Sequence, residues 1–357
     1  MKKLFFMIIL VAILFISVGF GYSWATSSTD NQTTFSFKDI NDNSTENNNS
    51  SSIITTDNVL DARYVIKMLG TETDRFDDKN KAIEKAKDLQ RSIVIDLQTN
   101  KWVYSNLKDF MIITDTAIHD FDILDSAIRY AKKNDHEKIY YKDDTYVIWE
   151  NKKLLENNIK LDVPILLQYP ELGRGCEVTS LAMMFSFNGK KVSKMELAEQ
   201  IKKDPTPYLK DSNGRIYYGN PYDGFVGDIY NIKKYGYGVY HGPIAELATN
   251  YFGESVFDIT GLEFEDILYF LSKGYPIWVI TNSTYAPLKE EAFEMWHTPT
   301  GIVKVTSKEH AVVLTGYDDK NVFINDPLYP YKNRPMNRND FKKSWEQMGN
   351  QAVVIIK

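Results

Sequence analysis

The 357-residue chain reads as an α+β protein built from two folded parts. Three stretches predict this. In residues 169–185 (YPELGRGCEVTSLAMMF), Val178, Leu181, Ala182 and Phe185 recur at helical spacing, and Asn188-Gly189 supplies a helix stop. Residues 310–328 (HAVVLTGYDDKNVFINDPL) read as a β-hairpin, with strands over 311–317 and 322–325 joined by a turn at Asp318-Asp319-Lys320-Asn321. Residues 62–151 hold an internal repeat: an Ala-Ile…Ala-Lys helix, a strand, a polar turn and an aromatic strand, twice over.

Composition narrows the function. The length suits roughly two domains, and a hydrophobic content of 43% allows a large core. Against 48 acidic residues stand only 42 basic ones, a net charge of -6, so the basic footprint of a nucleic-acid binder is missing. The 23 tyrosines suggest a sheet-rich protein with aromatic surface.

Taken in order, Met1-Lys2-Lys3 precedes an apolar run over 4–20, and Ser23-Trp24-Ala25 resembles a small-x-small cleavage site. Residues 1–25 therefore read as a secretory signal. The run is slightly long, which leaves an uncleaved membrane anchor as the alternative. Either way the remainder is expected to be secreted or at the cell surface, touching a membrane only through this segment. Residues 26–58, rich in Ser, Thr, Asn and Asp, read as a flexible spacer. Residues 59–153 are expected to pack two αββ units into one small domain, with Phe76 matching Phe121, Ala82 matching Ala127 and Ala86 matching Ala131. His119 and His136 read as solvated, and this domain carries no candidate chemistry.

The large domain, 161–357, is expected to fold and act alone. LDVPILLQYP reads as a short strand and a proline turn. An amphipathic helix is expected over 190–203, a Gly-rich loop over 208–227, helices over 244–251 and 264–273, and a buried strand over 275–281.

Cys176 is the only cysteine, and it falls at the start of the predicted helix. Free N–H groups and the helix dipole there stabilise an anion, and a thiolate is the nucleophilic form of cysteine. A small buried core cysteine is the bland alternative. In the hairpin, folding about the turn places His310 opposite Asp326 or within a residue of it. A carboxylate there holds the imidazole in one tautomer, and a Cys with an acid-oriented His is an activated nucleophile. The bland alternatives are a structural histidine and an Asp-Pro turn. Gln168 precedes Cys176 by eight positions and, if not an exposed loop residue, offers an amide N–H to an oxyanion beside the Cys176 N–H. His241 and His297 sit in loop-like segments without an evident partner. No Cys/His cluster has metal-ligand spacing, so no metal or cofactor is expected.

These residues add up to a family. The stretch QYPELGRGCEVTSLAMM, followed by EHAVVLTGYDD…NDP, resembles the C39-like cysteine peptidases, which share a papain-like fold. The likeness is greatest to the secreted branch found in Gram-positive bacteria. It extends through YGNPYDGFVGDIY, GYGVYHGPI, WHTPTG and SWEQMGNQA, and so over essentially all of 161–357. The resemblance implies Cys176 as nucleophile, His310 as base, Asp326 as orienting acid and Gln168 in the oxyanion hole. Hydrolysis of a peptide or amide bond in a peptide or protein substrate, in some cases cell-wall associated, is the activity it implies. Two alternatives stay open: an acyltransferase using the same triad, and a non-catalytic wall- or peptide-binding protein. Relatives fused to transporters cut after double glycine. This chain shows an apolar N-terminal run and a repeat instead, so that specificity is not carried over.

Overall fold

The segments IWVITN and HAVVLTGY are apolar almost without a break, the pattern of strands covered on both faces. In the computed structural model, which describes residues 62–68, 71–114, 117–151 and 158–357, both become central strands of one sheet. The N-terminal apolar run and the Asn/Ser tract lie outside the described residues. Among the described residues no helix is long and apolar enough to cross a membrane.

The first repeat unit comprises β1 (Tyr64–Met68), β2 (Thr71–Phe76), α1 (Lys79–Lys87), β3 (Ser92–Asp96) and β4 (Lys101–Ser105). The second comprises β5 (Phe110–Ile113), β6 (Ile118–Phe121), α2 (Leu124–Asn134), β7 (Lys138–Tyr141) and β8 (Val147–Glu150). Their four-stranded sheets have the same order, β2-β1-β3-β4 and β6-β5-β7-β8. Each unit is thus ββαββ, and the αββ expectation missed the hairpin before each helix. The matched Phe76 and Phe121 are the last residues of that hairpin. Alternation along β5 divides the second unit's contacts. Met111 points toward Trp102 and Leu107 of the first unit, whereas Phe110 and Ile112 join α2 in a larger core.

The large domain begins at β9 (Ile159–Lys160), and LDVPILLQ continues without strand pairing. The helix α3 (Cys176–Phe187) follows, capped at Asn188, and then α4 (Lys194–Gln200). The expected Gly-rich loop carries four two-residue strands around it: β10 (Lys203–Asp204), β11 (Leu209–Lys210), β12 (Ile216–Tyr217) and β13 (Phe225–Val226). Next come α5 (His241–Phe252), β14 (Val256–Asp258), α6 (Phe264–Ser272) and β15 (Ile277–Asn282). The hairpin of β16 (Glu294–Thr298) and β17 (Gly301–Val305) precedes β18 (Glu309–Tyr317) and β19 (Asn321–Asn325). The chain ends with β20 (Arg334–Asn337), α7 (Arg338–Gln347), a helix the sequence reading did not anticipate, and β21 (Ala352–Ile355).

The main sheet has seven strands, in the order β14-β21-β15-β18-β19-β20, with β9 added to β18. Period-two alternation sorts its side chains into two cores. Trp278, Ile280, Ala311, Val313 and Val353 face α3 and α5. Ile277, Val279, Val312, Leu314 and Val354 face α6, α7 and, unexpectedly, the second repeat unit. Trp149 and Leu124 of that unit share a core with Phe257, Leu262 and Tyr269 of the large domain. Lys132 closes the seam by pairing with Asp266 at 2.8 Å and Glu263 at 2.9 Å.

This shared core makes a prediction against the expectation of an independent large domain. Removing residues 1–105 should change the melting temperature little. Removing residues 1–151 strips buried apolar surface from α6 and should lower it by roughly 5 °C or more, at about 2–4 °C per kcal/mol. Scanning calorimetry of the two truncations checks this, and equal melting temperatures would contradict it.

Candidate active site

The helix carrying Cys176 is apolar on every side and is buried from Cys176 to Phe185, as a helix packed through the middle of a domain must be. Two side-chain hydrogen bonds set it against the sheet. Ser180 donates to the Ala311 carbonyl of β18 at 3.2 Å, and the Trp278 indole of β15 donates to the Glu177 carbonyl at 3.0 Å. Gly175 caps the helix start without a side chain, so the Cys176 N–H lies among the unpaired donors of the first turn. Gly173 lets the loop pass beneath residues 230–232: a Cβ there would lie 2.6 Å from the Ile232 nitrogen.

His310 and Asp326 meet, but not through the expected register. A bulge between Leu314 and Gly316 shifts the β18–β19 ladder, which ends at Val313 opposite Asn325. Continuing that register places His310 opposite Leu328, two residues from Asp326, rather than within one. The side chains bridge the diagonal, with His310 Nε2 and Asp326 Oδ1 2.9 Å apart. Asn325 faces elsewhere, holding the Val163 carbonyl at 2.9 Å and accepting from the Asn333 N–H at 2.9 Å.

Asp326 is a saturated acceptor. Besides His310, its Oδ1 takes the Leu328 N–H at 2.9 Å. Its Oδ2 takes the Tyr285 hydroxyl at 2.6 Å and the Arg334 guanidinium at 2.8 Å. Arg334 in turn lies over the rings of Tyr285 and Tyr329. Burial alone would raise the Asp326 pKa, but the bonds from His310, Tyr285 and the Leu328 N–H outweigh it and hold the carboxyl at about 2. An ionised Asp326 can only accept, so His310 carries its proton on Nε2, and Nδ1 is left outside that bond.

Cys176, His310 and Gln168 line one cleft of about 440 Å³, with Tyr169, Tyr208, Tyr235 and Trp296 among its walls. Gln168 is buried. Its Nε2 donates to the Gly173 carbonyl at 3.0 Å, which leaves the second amide N–H for an oxyanion.

The thiol departs from expectation. Burial, then the charges of Glu177 and Glu309, push the Cys176 pKa well up, and the Ala311 N–H offsets only part of this. Against the anion-stabilising helix start stand burial and two neighbouring acids, which favour the neutral thiol. Sequence reasoning missed both acids, as it missed Tyr285 and Arg334. A signal was present: Glu177 is the only charged residue in α3, and Glu309 directly precedes His310. Among the described residues, Cys176, Glu177 and Glu309 are also the one His/Cys/Asp/Glu group whose donor atoms are close enough to hold a cation, all within 4.8 Å of one another.

The other histidines lie elsewhere. His241 opens α5 and pairs with Asp258. His297 is not in a loop but in β16, opposite Ile302 of β17. His119 is not solvated: it is buried in β6, and its ring packs against Tyr130 and His136.

Residues 160–353 match the sequence profile of the Peptidase_C39 like family. The chain belongs to that family. It is 45% identical over 227 residues to YvpB, an uncharacterised protein of Bacillus subtilis strain 168, covering 63% of this chain and 87% of YvpB. It also resembles a solved structure of a C39-like peptidase candidate from Bacillus anthracis. There the TM-score is 0.53 and the identity 44%, over 57% of this chain and 98% of that one. Within the C39-like fold, Cys176 of α3 and His310 of β18 line one cleft.

The folded-state pKa of Asp326 lies below the ordinary carboxylate value of about 3.9, so its bonds contribute stability above about pH 4 that is lost as pH falls toward 2. Asp326→Asn should flatten that acid limb in a series of melting temperatures. An amide cannot accept from all four donors, so the substitution should also cost about 1–3 kcal/mol at neutral pH.

Proposed function

We propose that the chain is an exported cysteine peptidase that cuts a peptide or amide bond through a thioester. The observation that carries the reading is the fixed imidazole. His310 is held by a fully occupied carboxylate in the tautomer that leaves Nδ1 basic, and it shares a cleft with a cysteine at a helix start.

In this mechanism His310 Nδ1 takes the thiol proton as Cys176 Sγ bonds to the substrate carbonyl carbon. The oxyanion forms against the Cys176 N–H and the second N–H of Gln168. The imidazolium gives its proton to the departing amine, leaving an acyl-thioester. His310 then takes a proton from water, which attacks the thioester and frees the acid. A neutral resting thiol fits this order, because the base acts only when substrate is in place. The substrate is a peptide or protein, and the tyrosine-rich cleft suits one with bulky side chains near the scissile bond. Export rests on Lys2-Lys3, the apolar run over 4–20 and the small-x-small site, with the substrate then met outside the cell.

Comparing surface peptides from cells carrying the wild-type chain and Cys176→Ala tests the activity. Specific fragments should vanish in the variant, and an added amine should be captured in the products if the thioester is long-lived. Identical peptide sets would refute the reading. Cell fractionation tests export, and a wholly cytosolic protein with residues 1–25 retained would overturn it.

A further inference from the structure

We propose that Glu177 and Glu309 share a proton beneath Cys176, and that this pair sets the pH range in which the thiol ionises. The inference starts from strand alternation. At the start of β18, His310 turns toward Tyr285 and Asp326, so Glu309 turns the other way, toward the start of α3. There it meets Glu177, the second residue of the helix, whose carboxyl is buried. Glu177 Oε1 accepts the Val239 N–H at 2.8 Å, and Oε2 lies 3.3 Å from the cysteine sulfur. Glu309 Oε1 is buried without a partner. Among the described residues, no Lys, Arg or His forms an ion pair with either acid.

The backbone is shaped around the pair. A Cβ on Gly238 would stand 2.1 Å from Glu177 Oε1 and 3.2 Å from Glu309 Oε2, so only glycine lets that segment close over both carboxyls.

Two carboxyls this close in a buried site do not both ionise. Burial pushes both upward, and the charge of Glu177 pushes Glu309 further. The consequence for Cys176 depends on the proton count. When both acids are protonated, the Glu177 O–H donates to the sulfur, and the thiol proton can pass to His310 Nδ1. Once the pair has lost a proton, a thiolate would form beside a carboxylate, and the thiol stays neutral. The other titratable groups facing the pair are few. Tyr237 and Tyr240 share a hydroxyl–hydroxyl bond on the segment before α5, and His310 adjoins on β18. Across the cleft lie Glu294 and Arg174, the latter occupied by the carbonyls of Asp228, Asn231 and Ile232.

The inference rests on Cys176 as the nucleophile, but its readout is alkylation, which registers whether or not any peptide is cut. Iodoacetamide labelling of the full chain is followed between about pH 5 and 9 for wild type and the double variant Glu177→Gln/Glu309→Gln. Glutamine copies the protonated acid at every pH. The double variant should therefore react about tenfold faster than wild type at the alkaline end, the equivalent of one pKa unit. Profiles that superimpose on wild type would overturn the proposal. Infrared spectra give a second check: wild type should show a protonated carboxyl band at neutral pH that the double variant lacks. Absence of that band, or a stoichiometric divalent cation that co-purifies with wild type and is lost in the double variant, would mean that no shared proton holds the pair.

Discussion

Strand β18 is buried on both faces, and the rest of the molecule is arranged by that constraint. A strand with no solvent side must send alternate side chains into two separate cores. One core takes α3 and with it Cys176; the other takes α6, α7 and the second repeat unit. The same alternation at the start of the strand divides the chemistry. Glu309 goes under the helix, and His310 goes to the carboxylate of Asp326. A slip of one residue in this strand would exchange acid and base as well as core and core.

The electrostatics on the two sides of β18 are opposite in kind. Asp326 sits among four donors, one of them a guanidinium, and is held ionised. Glu177 and Glu309 sit together with a thiol and one backbone N–H between them, and their carboxyls resist ionisation. Carboxyl groups are thus shifted in opposite directions on the two sides of one strand, because one site was given donors and the other was given a second acid.

What the sequence made legible was what local pattern encodes. The α3 helix, its Asn188-Gly189 stop, the buried strands and the hairpin turn are written in spacing and turn residues, and each was readable at its own position. The C39-like fold followed from motifs spread over the large domain. The remainder depended on tertiary contact. The bulge at Thr315 changed the hairpin register by moving one residue out of the ladder, which alternation alone does not announce. Tyr285 and Arg334 reach Asp326 from separate segments of the chain. The ββαββ form of each repeat unit was hidden because the second strand of its first hairpin is polar and half exposed in one copy, TETDRF, and buried in the other, IHDF. The shared core with α6 was hidden because an apolar residue does not say which neighbour will cover it.

Gly238 carries a consequence for how such a chain can change over generations. Its missing side chain and the Glu177 carboxyl occupy the same space, so substitutions at the two positions are not independent events. A lineage that first acquires alanine at 238 drives a methyl group into the acid and pays at once in stability. One that first shortens the acid leaves a gap the methyl can later fill. The order of steps is therefore constrained, because a carbon added at 238 would stand only 2.1 Å from the Glu177 oxygen unless that side chain moves or is shortened.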